Sequence, residues 1–287
     1  MTRTRKTLTL LGAARLCGAS LGADETLAWR ATSRESLGAS LNPLGLQNVL
    51  AREWQRPLTS SRRPLLSDAH WSFGVESRVT PAYARVGAWA ELAPLSILKL
   101  RAGIEPAGYF GTFKSLLAFD GYDSRFDDDA RRERGGEARA AFAGRAYLAP
   151  TLQLKAGHLA FRARAELEWW KAQIAGPYFY EPARDTLLKA HGDAMMTGES
   201  ILVYELASSP GRKTLVGVVH DLTLVYAARQ NRKQDVGVLA ILGLGKRLFG
   251  MRELTLQAKV VRYVEDPNRE NQIGAQLGIG FELGKAR

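Results

Sequence analysis

The densest run of chemically capable side chains is FDGYDSRFDDDARRER, residues 119–134. It carries Asp120, Asp123, Asp127, Asp128 and Asp129. Carboxylate oxygens at this density could hold Ca²⁺, but the glycine and final glutamate of an EF-hand loop do not fall at the required positions. Arg125, Arg131, Arg132 and Arg134 stand close enough to neutralise the acids. The run therefore reads as a solvated loop of mixed charge, and no metal is assigned to it. Four histidines follow, His70, His158, His191 and His220. Nucleophilic hydrolysis needs a hydroxyl beside a base that a third group orients. His220-Asp221 offers the last two, yet no serine stands in a partner motif. The stretch LGLGKRLFG, residues 242–250, has glycines and a lysine without the spacing of a phosphate-binding loop. No catalytic residue and no cofactor site is assigned, and the chain is expected not to be an enzyme.

The basic balance, 40 Lys and Arg against 29 acids, raises nucleic acid as a partner. The basic residues are spread at period two, with no basic helix or zinc motif, so nucleic-acid binding is not expected. The same spacing suggests a different use. ARVGAWAEL sets Ala84, Val86, Ala88, Ala90 and Leu92 on one face against Arg85, Gly87, Trp89 and Glu91 on the other. ILKLRAGIE sets Leu98, Leu100, Ala102 and Ile104 against Lys99, Arg101, Gly103 and Glu105. EARAAFAGRAYL places Glu137, Arg139, Arg145 and Tyr147 opposite Ala138, Ala140, Phe142 and Ala146. Period-two alternation is the signature of strands with one apolar face. In a soluble sheet or ligand-binding barrel the apolar face looks inward; in a membrane barrel it looks at lipid and the charges line the lumen. The lumen candidates are therefore Arg85, Glu91, Lys99, Arg101, Glu105, Glu137, Arg139 and Arg145, as an ion-pair network or as the lining of a pore biased toward anions.

Connections decide between these alternatives. Those at 92–97, 156–159, 208–213 and 248–253 are short, whereas 111–136 and 171–200 are long. Short turns at one end and long loops at the other describe an up-and-down membrane barrel. The expected strands are 44–58, 69–92, 96–110, 137–156, 158–170, 200–208, 213–229, 235–248, 252–265 and 271–284. Ten is an even number that leaves both chain ends on the periplasmic side. Thr80-Pro81 reverses the apolar parity, as a bulge within one strand or as a tight turn; in the second case 44–58 becomes a periplasmic segment and the total stays ten. Trp71, Trp89, Trp169 and Trp170 fit interfacial girdles. Tyr178, Phe179 and Tyr180 lie in a long loop, as a contact patch or a fold-back over the barrel mouth.

The two termini carry further signals. Arg3, Arg5 and Lys6 precede an apolar stretch that ends in Ser20-Leu21-Gly22, the layout of a cleaved secretory signal over residues 1–22. Its removal lowers the net charge from +11 to +7 by taking away Arg3, Arg5, Lys6 and Arg15. It also takes away Cys17, the single cysteine, which suits an oxidising compartment. At the other end, Gln276-Leu277-Gly278-Ile279-Gly280-Phe281-Glu282-Leu283 resembles the insertion signal of bacterial outer-membrane β-barrels: polar, any, glycine, any, any, aromatic, any, hydrophobic. The family usually stops near the last of these positions, and this chain runs four residues further.

The expected fold class is all-β: a closed antiparallel up-and-down transmembrane β-barrel of about ten strands, with long extracellular loops and short periplasmic turns. The expected organisation is a signal peptide at 1–22, a periplasmic segment at 23–43 and the barrel at 44–287, in the outer membrane of a Gram-negative bacterium. The resemblance implies lipid and lipopolysaccharide around the wall and barrel-insertion machinery acting on the last strand. Loops 111–136 and 171–200 could meet envelope proteins. The leading functional expectation is a structural or interaction component of an envelope assembly. A small porin-like channel with an Arg-rich lumen comes second, and a lipid-modifying enzyme third.

Overall fold

A computed structural model describes residues 27–112, 116–209, 212–245 and 251–283. The signal segment, Cys17 and the last four residues lie outside them. Twelve strands form the wall: β1 (Arg30–Leu41), β2 (Gly45–Pro57), β3 (His70–Val79), β4 (Tyr83–Leu95), β5 (Leu98–Tyr109), β7 (Ala141–Ala156), β8 (Leu159–Gln173), β11 (Asp193–Ser209), β12 (Arg212–Val225), β13 (Ala228–Gly243), β14 (Met251–Glu265) and β15 (Ile273–Leu283). Three short strands, β6 (Ala118–Phe119), β9 (Tyr178–Glu181) and β10 (Thr186–Lys189), make a separate sheet in the order β10-β9-β6. A helix, α1 (Asp128–Glu133), precedes β7.

Each wall strand pairs antiparallel with its neighbours, and β1 closes on β15 from Ser33↔Leu283 to Leu41↔Ala275. Closure satisfies every strand edge, as hydrocarbon requires. The start of β1 and the end of β15 share one end of the barrel, the terminal end. The long connections 110–140 and 174–192 leave from the opposite end, the loop end, but 58–69 between β2 and β3 lies at the terminal end, so the expected rule of short turns there holds only in part.

Burial is inverted relative to a water-soluble core. Along β4, Val86 and Leu92 are exposed, while Arg85, Trp89 and Glu91, on the alternate positions, are buried. Ile104 is exposed and Glu105 buried; Leu202 and Tyr204 are exposed and Glu205 buried. Trp29, Trp54, Trp71 and Phe73 form an outward cluster near the terminal end, with ring centroids 4.9 to 5.7 Å apart along the chain of contacts. Such a cluster is what an interfacial girdle looks like.

The wall has twelve strands and not ten, for two physical reasons. Thr80-Pro81 is a turn: Thr80 N donates to Tyr83 O at 2.9 Å, and Thr80 Oγ1 accepts from Tyr83 N at 3.0 Å. This splits 69–92 into β3 and β4, yet 44–58 remains in the wall as β2. The second addition is β1, inside the stretch expected to lie outside the barrel at 23–43. Its outward face mixes Ser33 and Glu35 with Leu37 and Leu41, so polarity on both faces hides the alternation.

Candidate functional site

The lumen is built around one strand. In RARAELEWW of β8, Arg162, Arg164, Glu166, Glu168 and Trp170 all face inward, because period two sends every second residue to the same side. Arg145 on β7 sits among the acids. It forms a two-pronged pair with Glu105 of β5 at 2.8 and 2.9 Å, reaches Glu168 at 2.8 Å, and also bonds Glu166. Arg164 bonds Glu166 at 2.6 Å. Thr197 Oγ1 and Trp170 Nε1 donate to Glu168 at 3.1 and 2.9 Å. A fully satisfied network of this kind holds its members in one geometry.

The long connections fold back into this lumen as a plug. Arg184, between β9 and β10, bonds Glu168 at 2.7 Å and Glu166 at 3.3 Å. Three guanidinium groups (Arg145, Arg164, Arg184) thus face three carboxylates. Glu181, wholly buried, pairs with Arg85 of β4 and accepts from Tyr109 Oη at 3.0 Å. Arg85 lies between the rings of Tyr83 and Trp170, 4.4 and 4.9 Å from their centroids. Leu116, Phe179 and Leu188 of the plug pack on Tyr83, Tyr109 and Trp170 of the wall. Each such buried side chain is worth roughly 1.5–3 kcal/mol. Tyr178, Phe179 and Tyr180 therefore belong to a fold-back and not to an exposed patch.

Asp185 latches the plug's far edge. It accepts from Lys233 of β13 at 2.7 Å and from Tyr180 Oη at 2.5 Å, and pairs with Arg269 in the β14–β15 connection. Burial pushes this carboxyl up, but Lys233 and Arg269 outweigh burial and hold it well below the usual carboxylate range. A carboxyl lowered on folding adds stability above its free value of about 3.9, and that stability is lost as pH falls through the lowered value. Asp185→Asn is accordingly expected to make loop 174–192 cleavable by added protease at neutral pH. In the unaltered protein an acid-stable protease should reach it only below about pH 4. Equal protection of both proteins at pH 7 would show that Asp185 does not latch the plug.

What the plug leaves open is as informative as what it fills. Inward-facing Ile201, Val203, Leu215, Val219, Leu239 and Val261 pack together against the wall from β11 to β14. On the other side, beside β15, β1 and β2, a cavity of about 1230 Å³ remains. Its lining runs from Thr32, Lys213 and Glu253 near the terminal end to Ser40, Gly45 and Tyr83 at the loop end. Twelve strands enclose more space than their side chains fill. The seam itself is bare: a Cβ at Gly38, Gly278 or Gly280 would meet nothing nearer than 3.7 Å. The inner face of β15 is thus not covered by neighbouring lumen side chains at these positions.

Of the sequence-derived candidates, Arg85, Glu91, Lys99, Arg101, Glu105 and Arg145 lie on the inner face. Glu91 pairs with Arg101 at 2.8 Å and with His70 at 3.3 Å. Glu137 and Arg139 differ. They precede β7, in the 110–140 connection, where Glu137 pairs with Arg134 at 2.6 Å and Arg139 donates to loop carbonyls. The alternation was extended too early because Ala138 and Ala140 continue it in type. Trp89 and Trp170 face inward and do not join a girdle, unlike Trp71 and Trp169. In the Asp run, Asp127 caps α1 by accepting from Ala130 N at 2.8 Å, Asp128 meets Arg131 and Arg269, and Asp129 meets Arg132. His220 faces outward and bonds Gln234 at 3.2 Å, whereas Asp221 faces inward to Lys259. The two point to opposite faces of β12 and form no dyad. Reading the sequence missed Glu166, Glu168, Glu181, Arg184 and Asp185. The first two were visible in the alternation of RARAELEWW; the plug residues had no periodic signal.

No family model and no curated protein matches the chain. Solved structures do. The NanC porin structure aligns with a TM-score of 0.42 at 9% identity, over 88% of this chain and 100% of that one. The β domain of the Bordetella autotransporter BrkA aligns at 0.45 and 13% identity, over 89% and 99%. LpxR from Salmonella typhimurium aligns at 0.44 and 9% identity, over 87% and 99%. By its own closed register and inverted burial, apolar side chains outward and charged ones inward, this chain is a β-barrel of the transmembrane type.

Proposed function

We propose that the protein is a narrow diffusion channel of a Gram-negative outer membrane, its lumen reduced to a lateral passage by the folded-in plug. The observation that carries this reading is the cavity beside β15, β1 and β2, whose lining reaches residues at both ends of the barrel. Polar side chains such as Arg34, Gln47, Glu53 and Gln257 share its lining with Trp89, Leu215 and Ile241, so it would offer small solutes a polar track beside an apolar wall. Lipid and lipopolysaccharide would surround the wall, and insertion machinery would act on β15.

The test uses the purified protein, its folding scored by gel mobility with and without boiling, in planar bilayers. Discrete conductance steps are expected. Gly278→Trp, at a bare point of the wall with its nearest neighbour 3.8 Å from the added Cβ, should cut the step by more than half while the folded band persists. A folded protein that never conducts would overturn the channel reading. It would favour the second reading, a structural component of an envelope assembly, for which the buried ion network and plug supply rigidity. In that case the exposed parts of loops 111–136 and 171–200 would be the surfaces for protein partners.

A further inference from the structure

The outward face of the wall is apolar on strand after strand, with an exception at mid-depth. On β1 and β2, Glu35, Asn48 and Arg52 alternate outward with Leu37, Leu46 and Leu50. Glu35 registers with Leu50. The girdle residue Trp54 registers with Ala31, four positions nearer the terminal end. At ~3.3 Å per residue and a tilt of ~40°, four positions place Glu35 roughly 10 Å inside the girdle, near the middle of an apolar band ~25 Å tall. Among the described residues, Glu35 is the one acid that faces outward within that band. Its side-chain partner is Asn48, whose Nδ2 donates at 2.9 Å. Arg52, two residues beyond Leu50, donates to Ser33 Oγ at 2.6 Å and lies over the Trp54 ring. A carboxylate at mid-depth is poorly solvated by lipid, and outward charges there are costly.

We propose that this patch is an interface with a second copy of the same chain. Its chemistry is self-complementary, with one acid and one base on a single face. A twofold axis along the membrane normal brings like depths together and sets each patch against itself. Glu35 of one protomer then faces Arg52 of its partner, twice over. The offset between the two along the strand is about 7 Å, within the reach of an extended arginine side chain. The flanking outward residues Ala31, Ser33 and Ala39 are small, which lets two walls approach. An unrelated membrane protein would have to supply a matching pair of its own. The proposal rests on the wall being embedded in lipid, though not on the barrel conducting.

Charge reversal with rescue tests it. The full chain is expressed in a Gram-negative host, extracted from the outer membrane in mild detergent, and weighed by light scattering. Each sample is run with and without boiling to score folding. Wild type is expected as a heat-modifiable dimer. Glu35→Arg alone and Arg52→Glu alone should weaken the dimer roughly tenfold or more, and the two together should restore it. Should either single reversal fail to fold, Glu35→Gln is the substitute and is expected to weaken the dimer in the same direction. A heat-modifiable wild-type monomer, a dimer indifferent to the single reversals, or a complex with a different protein would overturn the proposal. A soluble wild-type protein with no mobility shift would overturn the lipid-facing wall itself, and the interface with it.

Discussion

Arg145→Met is expected to destabilise the folded barrel by about 3–5 kcal/mol, the usual cost of leaving buried charges without their partner. The Arg145 side chain is 2% exposed, so little water stands ready to take its place. It serves Glu105, Glu166 and Glu168 together. Without it, Glu166 and Glu168 keep only Arg164 and Arg184, and Glu105 loses both prongs of its pair. The readout is the temperature at which the compact band on an unboiled gel gives way to the slow one, supported by a urea titration in detergent. Arg125→Ala, which removes an exposed partner of Asp127, should leave that transition where it was. An unmoved transition in Arg145→Met would mean that the network contributes nothing the wall does not already supply.

The second large effect concerns the passage. Deleting residues 176–191 and joining the strands by two glycines removes β9, β10, Glu181, Arg184 and Asp185 in one step. Single-channel conductance is expected to rise severalfold, because the space held by the plug joins the cavity beside β15 and β1. Ion flow through a pore follows its open cross-section and the charges that line it. The variant should also unfold at a lower temperature, since Glu166 and Glu168 lose Arg184 and Arg85 loses Glu181. A folded variant with unchanged conductance would show that the plug does not set the width of the passage, and that the constriction lies along the seam.

The sequence made the wall legible and left the plug dark, for a physical reason. A strand writes its facing into every second residue, so ARVGAWAEL and ILKLRAGIE announce which side chains point inward before any neighbour is known. β1 escaped because Glu35 and Ser33 interrupt its outward face; if that face binds a second copy, the interruption has a cause. Loop residues carry no period. Glu181 meets Arg85 from 96 positions away, and Asp185 meets Arg269 from 84, through backbone that turns irregularly at Asp185 and Gly176, both at positive φ. The Asp run drew attention by density, yet its acids serve a helix cap, neighbouring arginines and, through Asp128, Arg269. The sparser carboxylates of β8 hold the centre of the lumen.

The latch on Asp185 also sets an order of events in assembly. Its partners come from α1, β13 and the connection between β14 and β15, so in a wall built strand by strand in chain order they would arrive separately. A chain folded only as far as β13 can bring Lys233 and Arg131 to the plug, but Arg269 arrives with the final hairpin. The same hairpin carries β15, which closes the wall on β1. Sealing the cylinder and completing the latch on Asp185 therefore depend on the same hairpin, whereas the contacts of Glu181 with Arg85 and of Arg184 with Glu168 need only earlier strands.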